Sequence, residues 1–415
     1  MSTGPAAHRI GQPSPLPFHL GTAALAYSQA LMAAPLSDHE RFPWHPHLAG
    51  SAAALGPDLD QTEVAREIAA RLSATVAGLE IWQRHPYRRT LREPPVIWSE
   101  GSARLLDFGA TPEATDPLGP PVLAVPSLIN RSYILDLAPG RSVLRWLAAQ
   151  GIRPLLLDWG EPGAEEAGFG LDDYGRRRLL PALRQVLEEG GRPVALMGYC
   201  MGGTLAAGAA ARVPEGVARL VTIGAPWDFA STRGIAGSFR ALIRSEGTER
   251  AERLLEGLGA AFGMVPVAFF QSLFALVNPM QAALKFQKLA RMDPDGAAAM
   301  LFVALEDWLA DGVPMPLPAA RDLLIGWQIR NDTATGRWRF LGGEVDLRRV
   351  AAPALIFSGR GDTIAPPEIA EPLGRLIPEA RILRPRTGHV GMVVGSAARA
   401  TVLRPLAEFL SRRSG

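Results

Sequence analysis

Cysteine is almost missing from this chain: Cys200 is the only one in 415 residues. A lone thiol excludes an internal disulfide framework and fits a reducing, cytoplasmic compartment. An excess of one charge is missing too, since 43 Lys and Arg stand against 41 Asp and Glu, a formal net charge of +2. That leaves no basic domain to neutralise a run of phosphates, so nucleic acid is not an expected partner, a local cationic patch aside. Long unbroken hydrophobic runs are also lacking. The most apolar early stretch, "HLGTAALAYSQALMAAPL" (19 to 36), is interrupted by His19, Ser28 and Gln29 and follows the Pro-rich "RIGQPSPLP". It therefore reads as a short helix packed on the main body, not as a transmembrane span or a signal peptide. No repeat at solenoid periods is present, and no low-complexity tract beyond the N-terminus.

What is present is the composition of an ordinary globular protein, 47% hydrophobic and 20% charged. The length suits one large domain or two ordinary ones. Residues 1 to 18, with four prolines, read as an unstructured tail. An N-terminal helical region follows over 19 to 95, where Val64, Ile68, Leu72, Val76 and Leu79 form one apolar stripe. The basic turn "HPYRR" (85 to 89) has arginines that suit phosphate groups, but a solvated turn explains them more simply. After it, "VIWSEGSARLLDFG" alternates as a hairpin does.

From 121 the pattern changes. "PVLAVP" (121 to 126), "RPLLLD" (153 to 158), "PVALMG" (193 to 198), "ARLVTIG" (218 to 224), "PALIFSG" (353 to 359) and "ARILRP" (380 to 385) are short, apolar and closed by Gly, Pro or Asp. They read as buried strands, and the helical stretches between most of them imply an α/β architecture with a mostly parallel sheet. The core is expected over 96 to 230 and 341 to 415. Between those halves, 231 to 340 is a helical insertion rich in Phe, Met, Leu and Trp, which reads as a lid over a pocket or as a subunit contact.

The cysteine sits at Gly198-Tyr199-Cys200-Met201-Gly202, the G-x-S-x-G form of a nucleophile elbow with sulfur for oxygen. A strand ending at 198 and a helix starting near 201 must reverse within about two residues, which strains the nucleophile and leaves no room for side chains beside it. The helix N-terminus then favours a thiolate. A buried, inert cysteine is the competing reading; the strand before and the small-residue helix after supply the context that the elbow requires. A thiol needs a base and the base an orienting acid, in the chain order nucleophile, acid, histidine. Asp362 follows one strand and His389 the next. An Asp before Thr is often a turn residue only, yet of the seven histidines His389 alone follows the nucleophile. The oxyanion hole is expected from the backbone N–H of Met201 and a second N–H, that of Ser127 or Leu128, in the loop after the first parallel strand.

These residues carry a resemblance. "VPSLINRSYILDLAPGRSVLRWLAAQG", "MGYCMGGTL", "LGGEVDLRRVAAPALIFSGRGDTIAPPE" and "TGHVGMVVG" resemble the polyhydroxyalkanoate synthases over roughly 95 to 410. The resemblance implies an α/β-hydrolase fold and an acyltransferase in which Cys200 carries the growing polyester as a thioester. Asp362 would orient His389, and His389 would activate the thiol and the hydroxyl of incoming 3-hydroxyacyl-CoA. It implies no cofactor and no metal, CoA thioester being the substrate. Association with polyester granules, and a homodimer or a second synthase subunit, are the partners it implies. "FVALEDWLADGVP" is closer to the short synthases that work with a second subunit, and Thr363 stands where many synthases have His. A thioesterase or depolymerase using the same three residues is the alternative enzyme, and a non-catalytic granule scaffold the alternative outside catalysis. A scaffold has no need to keep Cys, Asp and His together.

Overall fold

The computed structural model describes residues 16–36, 50, 51, 60–190, 193–231, 233, 234, 237, 239, 240 and 247–412. Most of the expected tail, residues 1 to 15, lies outside the described residues. Its last three residues are helical, because the first helix is Leu16–Ala33. Pro17 explains the early start: in a first helical turn its missing N–H has no acceptor to lose and its fixed φ is already helical.

The chain divides into two compact units, Met1–Tyr87 with Asn278–Ala310, and Arg88–Val277 with Asp311–Gly415. This cuts across the expected blocks at 19 to 95 and 231 to 340, since the middle third of the insertion packs with the N-terminal helices. The reason is a shared apolar core: Leu79 and Trp82 of the helix Gln61–Arg84 meet Phe286, Leu289, Ala299 and Val303. Trp82 is fully buried, and its indole N–H donates to Asp307 at 2.9 Å. The stripe expected on that helix is rotated, with Thr75, Gly78, Leu79 and Trp82 buried and Val76 49% exposed. The turn after this helix is structural too. His85 is buried, with Nε2 2.7 Å from the Pro294 carbonyl.

The larger unit holds an eight-stranded sheet. Its strands are β1 (Val96–Glu100), β2 (Ala103–Asp107), β3 (Pro121–Val125), β4 (Arg153–Asp158), β5 (Val194–Tyr199), β6 (Val217–Ile223), β7 (Ala354–Phe357) and β8 (Ala380–Leu383). In space they run β1-β2-β4-β3-β5-β6-β7-β8. β2 is antiparallel to both neighbours, and every pair from β4 to β8 is parallel. All residues of β3 and β5 are buried, as continuous apolar strands covered on both faces should be. The helix Leu180–Gly190 turns Ala182, Leu183 and Val186 inward between β4 and β5. Near the edge hairpin, a fully buried Arg178 pairs with Glu166 at 2.6 Å. Burial pushes Glu166 up, but Arg178 and the amides of Ser102 and Gly163 outweigh it and bring the carboxyl down to about 2.

Parts of the insertion that stay with the sheet cap the carboxyl ends of the strands. The helix Val267–Val277 goes out, and the π-helix Asp322–Ile329 comes back. Between them Val265 and Met315 form an isolated antiparallel bridge. Among the described residues no single helix is long and apolar enough to cross a membrane.

Candidate active site

β5 ends at Tyr199 and the helix Met201–Arg212 begins two residues later, leaving Cys200 between them at φ 55°, ψ −132°. Few non-glycine residues adopt such angles, at a cost of about 1–3 kcal/mol, and two backbone bonds hold this one there. The Cys200 N–H donates to the Ile223 carbonyl, and the Gly203 N–H donates to the Cys200 carbonyl, both at 2.9 Å. The expected need for empty space beside the turn is met. A Cβ on Gly198 would lie 2.3 Å from the Gly203 Cα, and one on Gly202 2.2 Å from the Val125 carbonyl at the end of β3.

Two further loops deliver the acid and the histidine. Asp362, in the turn after β7, is 2% exposed and spends one carboxylate oxygen on the N–H groups of Ile364 and Ala365, each 2.8 Å away. The other oxygen lies 2.7 Å from Nδ1 of His389, in the loop after β8. His389 is buried as well, and its Nε2 has no hydrogen-bond partner. Burial works against the charged ring, but the Asp362 carboxylate, and after it the charge of the neighbouring Cys200, hold the imidazolium well above its ordinary range. The structure thus brings together all three residues singled out from sequence. Thr363, beside the acid, is exposed.

Two residues that sequence reasoning missed fix the imidazole. The ring of Tyr199 lies 5.1 Å from that of His389, tilted by 38°. On another side, a Cβ at Gly224 would come within 2.9 Å of the His389 Cε1 and 3.0 Å of its Nδ1. Gly224 has φ +60° and is the first residue beyond β6. From sequence it is legible only as a strand terminator.

A cavity of about 50 Å³ opens at Cys200. Its walls are almost wholly apolar, with Ile129, Met201, Phe229, Phe270, Leu273 and Phe274 prominent. Phe270, Leu273 and Phe274 come from the helix Val267–Val277, so this part of the insertion covers the thiol. Of the expected oxyanion donors, Met201 opens the helix behind Cys200, where a first-turn N–H has no acceptor within the helix. Ser127 and Leu128 are both buried in the β3 loop that Gly202 abuts. The Ser127 hydroxyl accepts from the Ile129 N–H at 3.3 Å, and the Leu128 side chain lines a separate small void. No cluster of metal-ligating side chains occurs among the described residues.

Apart from Ile129, which lines the cavity, the "INRSYILDL" segment serves to seat the insertion. Asn130 bridges Gly312, the Val313 N–H donates to the Ile129 carbonyl, and Arg131 and the Tyr133 hydroxyl both bind Asp311. It is the seat of the insertion's return segment. At its end Asp136 is gripped by Arg145 at 2.8 Å and by Arg89 at 2.7 Å, so Arg89 of the "HPYRR" turn is an ion-pair partner, not a solvated charge.

A strained cysteine elbow between β5 and a helix, an acid after β7 and a histidine after β8, on this strand order, define the α/β hydrolase class. The family model for the alpha/beta hydrolase fold matches residues 120–396. Within that class the chain belongs to the poly(3-hydroxyalkanoate) polymerase family. It is 31% identical over 358 residues to the poly(3-hydroxyalkanoate) polymerase subunit PhaC of Haloferax mediterranei, across 85% of this chain and 70% of that one. The subunit of the same name from Haloarcula marismortui is 30% identical across 77% of this chain and 67% of its own. That from Synechocystis is 27% identical across 76% and 84%.

Proposed function

We propose that this protein polymerises 3-hydroxyacyl-CoA into polyester, with Cys200 as the covalent carrier. One observation carries the reading: His389 commits Nδ1 to Asp362, its buried ring interacts with the Cys200 sulfur, and Cys200 in turn opens on an apolar cavity. Before loading the thiol proton already rests on Nε2; the Cys200 thiolate attacks the thioester carbonyl, and the Cys–acyl bond forms as the bond to CoA breaks. The proton returns from His389 to the departing CoA thiolate. In the elongation step Nε2 takes the proton of a second unit's 3-hydroxyl. The resulting oxygen attacks the Cys200 thioester, an ester forms and the Cys200 thiolate is released. Asp362 holds the ring in one tautomer and stabilises its positive charge. The Met201 N–H, with that of Ser127 or Leu128, stabilises the oxyanion of each tetrahedral intermediate.

Exchange of one thioester for another is nearly balanced in energy, so the fate of the acyl-enzyme depends on whether water reaches it. The Phe-rich cover over Cys200 supports exclusion of water and so favours transfer over hydrolysis. No cofactor is needed by this chemistry. A polyester surface and a second subunit are partners consistent with the same reading. Purified protein given 3-hydroxybutyryl-CoA should release CoA and deposit insoluble polymer, and Cys200→Ala should do neither. CoA release with only free 3-hydroxybutyrate as product would replace this reading with a hydrolase.

A further inference from the structure

Among the described residues the cavity at Cys200 holds one polar side chain besides the thiol. Gln328 lies on the π-helix Asp322–Ile329 and lines the cavity, yet it is 6% exposed and its Oε1 is buried with no hydrogen-bond partner. An orphaned buried acceptor costs free energy and asks for an explanation. π-Helical turns are rare and occur often at functional sites.

The segment that carries Gln328 is anchored on both sides. Its neighbour Trp327 is buried, stacked against Phe229 and edge-on to Trp338. The turn just beyond is tied down by Asn331, whose side chain accepts from the Phe229 N–H and donates to Asp228. At the front of the π-helix, Asp322 accepts from the Leu171 N–H at 2.8 Å. The backbone that carries Gln328 at the cavity is therefore held in place before any ligand arrives.

The unpaired atom is an acceptor, so its ligand must bring a hydrogen. A plain acyl chain has none to give; a 3-hydroxyacyl chain has one. We propose that Gln328 is the specificity-determining residue for the acyl unit, its Oε1 accepting a hydrogen bond from the substrate's 3-hydroxyl while the unit is loaded on Cys200. The inference rests on the polymerase reading for the identity of the substrate. The cavity volume of about 50 Å³, room for roughly four water-sized groups, suits a short unit of this kind.

A pantetheine amide N–H is a second source of the same hydrogen, and a matched pair of substrates separates the two. 3-Hydroxybutyryl-CoA and butyryl-CoA share the pantetheine and differ only in the hydroxyl. Single-turnover CoA release should favour the hydroxylated substrate by about tenfold or more in the native protein, the worth of one good hydrogen bond. In Gln328→Met that preference should fall to within about threefold, with butyryl-CoA loading retained. A Met of similar volume removes an orphaned polar group, so the variant's Tm should hold or rise; a Gln328 serving only the fold would lower it. An unchanged preference in Gln328→Met, or loss of both substrates equally with a lowered Tm, would overturn the assignment. Failure of the native protein to release CoA from either substrate would instead overturn the polymerase reading itself.

Discussion

Nδ1 of His389 and the outer carboxylate oxygen of Asp362 meet at 2.7 Å, although the two residues stand 27 apart in the chain. Parallel strands β7 and β8 place their following loops side by side, and that adjacency makes the contact. Both groups are buried, so the pair works in a medium where its attraction is strong.

Loss of the Asp362 charge should therefore show in both rate and pH. Asp362→Asn is expected to lower CoA release on the order of 10³–10⁴-fold, as in other sites of this kind. The imidazolium is raised in the fold, so its proton stabilises the native state fully below the unfolded value of about 6.5, and the benefit fades as pH rises through the higher folded value. The difference in unfolding free energy between native protein and His389→Gln should shrink as pH rises above that point. Urea titrations across the range measure it, and a difference that grows with pH would contradict the assignment.

Strain at Cys200 separates two substitutions that both remove the thiol. Glycine tolerates φ 55°, ψ −132° and alanine does not. Cys200→Gly should be more stable than Cys200→Ala by about 1 kcal/mol or more, while both lose CoA release. Equal denaturation midpoints at equal slope would show that the turn stores no strain.

The clamp on the imidazole is tested at Gly224. Gly224→Ala should cut activity by about a hundredfold, the effect of displacing a reacting group by about 1 Å. Gly342 supplies the control, since it also has positive φ, +76°, but a Cβ there meets nothing within 4 Å. Gly342→Ala should carry the same kind of backbone cost and leave activity alone. Similar activity loss in both variants would trace the effect to the backbone, not to His389.

Far from the thiol, the Glu166–Arg178 pair should govern part of the acid stability. Glu166 is depressed to about 2 from 4.5, so its contribution is complete above the unfolded value and is lost as pH falls through the folded one. Glu166→Gln leaves the buried Arg178 with only the half-exposed Glu165 and Glu100, at 2.9 and 3.5 Å, as counter-charges and should cost about 1–3 kcal/mol at neutral pH. That cost should narrow below about pH 4. A pH-independent difference would assign the loss to packing.

Much of the site was legible in order along the chain. The six parallel strands expected from "PVLAVP" to "ARILRP" appear within a residue or two of their expected ends, because a short apolar run closed by Gly, Pro or Asp encodes a covered strand locally. The cysteine elbow is local too, since five consecutive residues contain the whole turn. Asp362 and His389 could be named because strand order dictates which loops reach the nucleophile.

Less was legible wherever two distant segments decide the outcome. The insertion looked uniform in composition, yet Asn278–Ala310 packs with the N-terminal helices while its flanks stay with the sheet. Periodicity reports that a face is apolar and not which partner will cover it, and the same limit rotated the stripe at Val76 away from the contact. The "INRSYILDL" loop was noticed for its composition, but its role as the seat of Asp311 appears only once the chain returns after some 180 residues.

The sequence by itself determined the strands, the strained cysteine and the loops that carry acid and base, because these arise from short-range sterics and hydrophobic pattern. Tertiary structure alone decided what surrounds them: Tyr199 and Gly224 against the imidazole, the phenylalanines over the thiol, and Gln328 with an unanswered acceptor in the cavity. Those are contacts between residues far apart in the chain, and they exist only when burial of the core has brought their elements together.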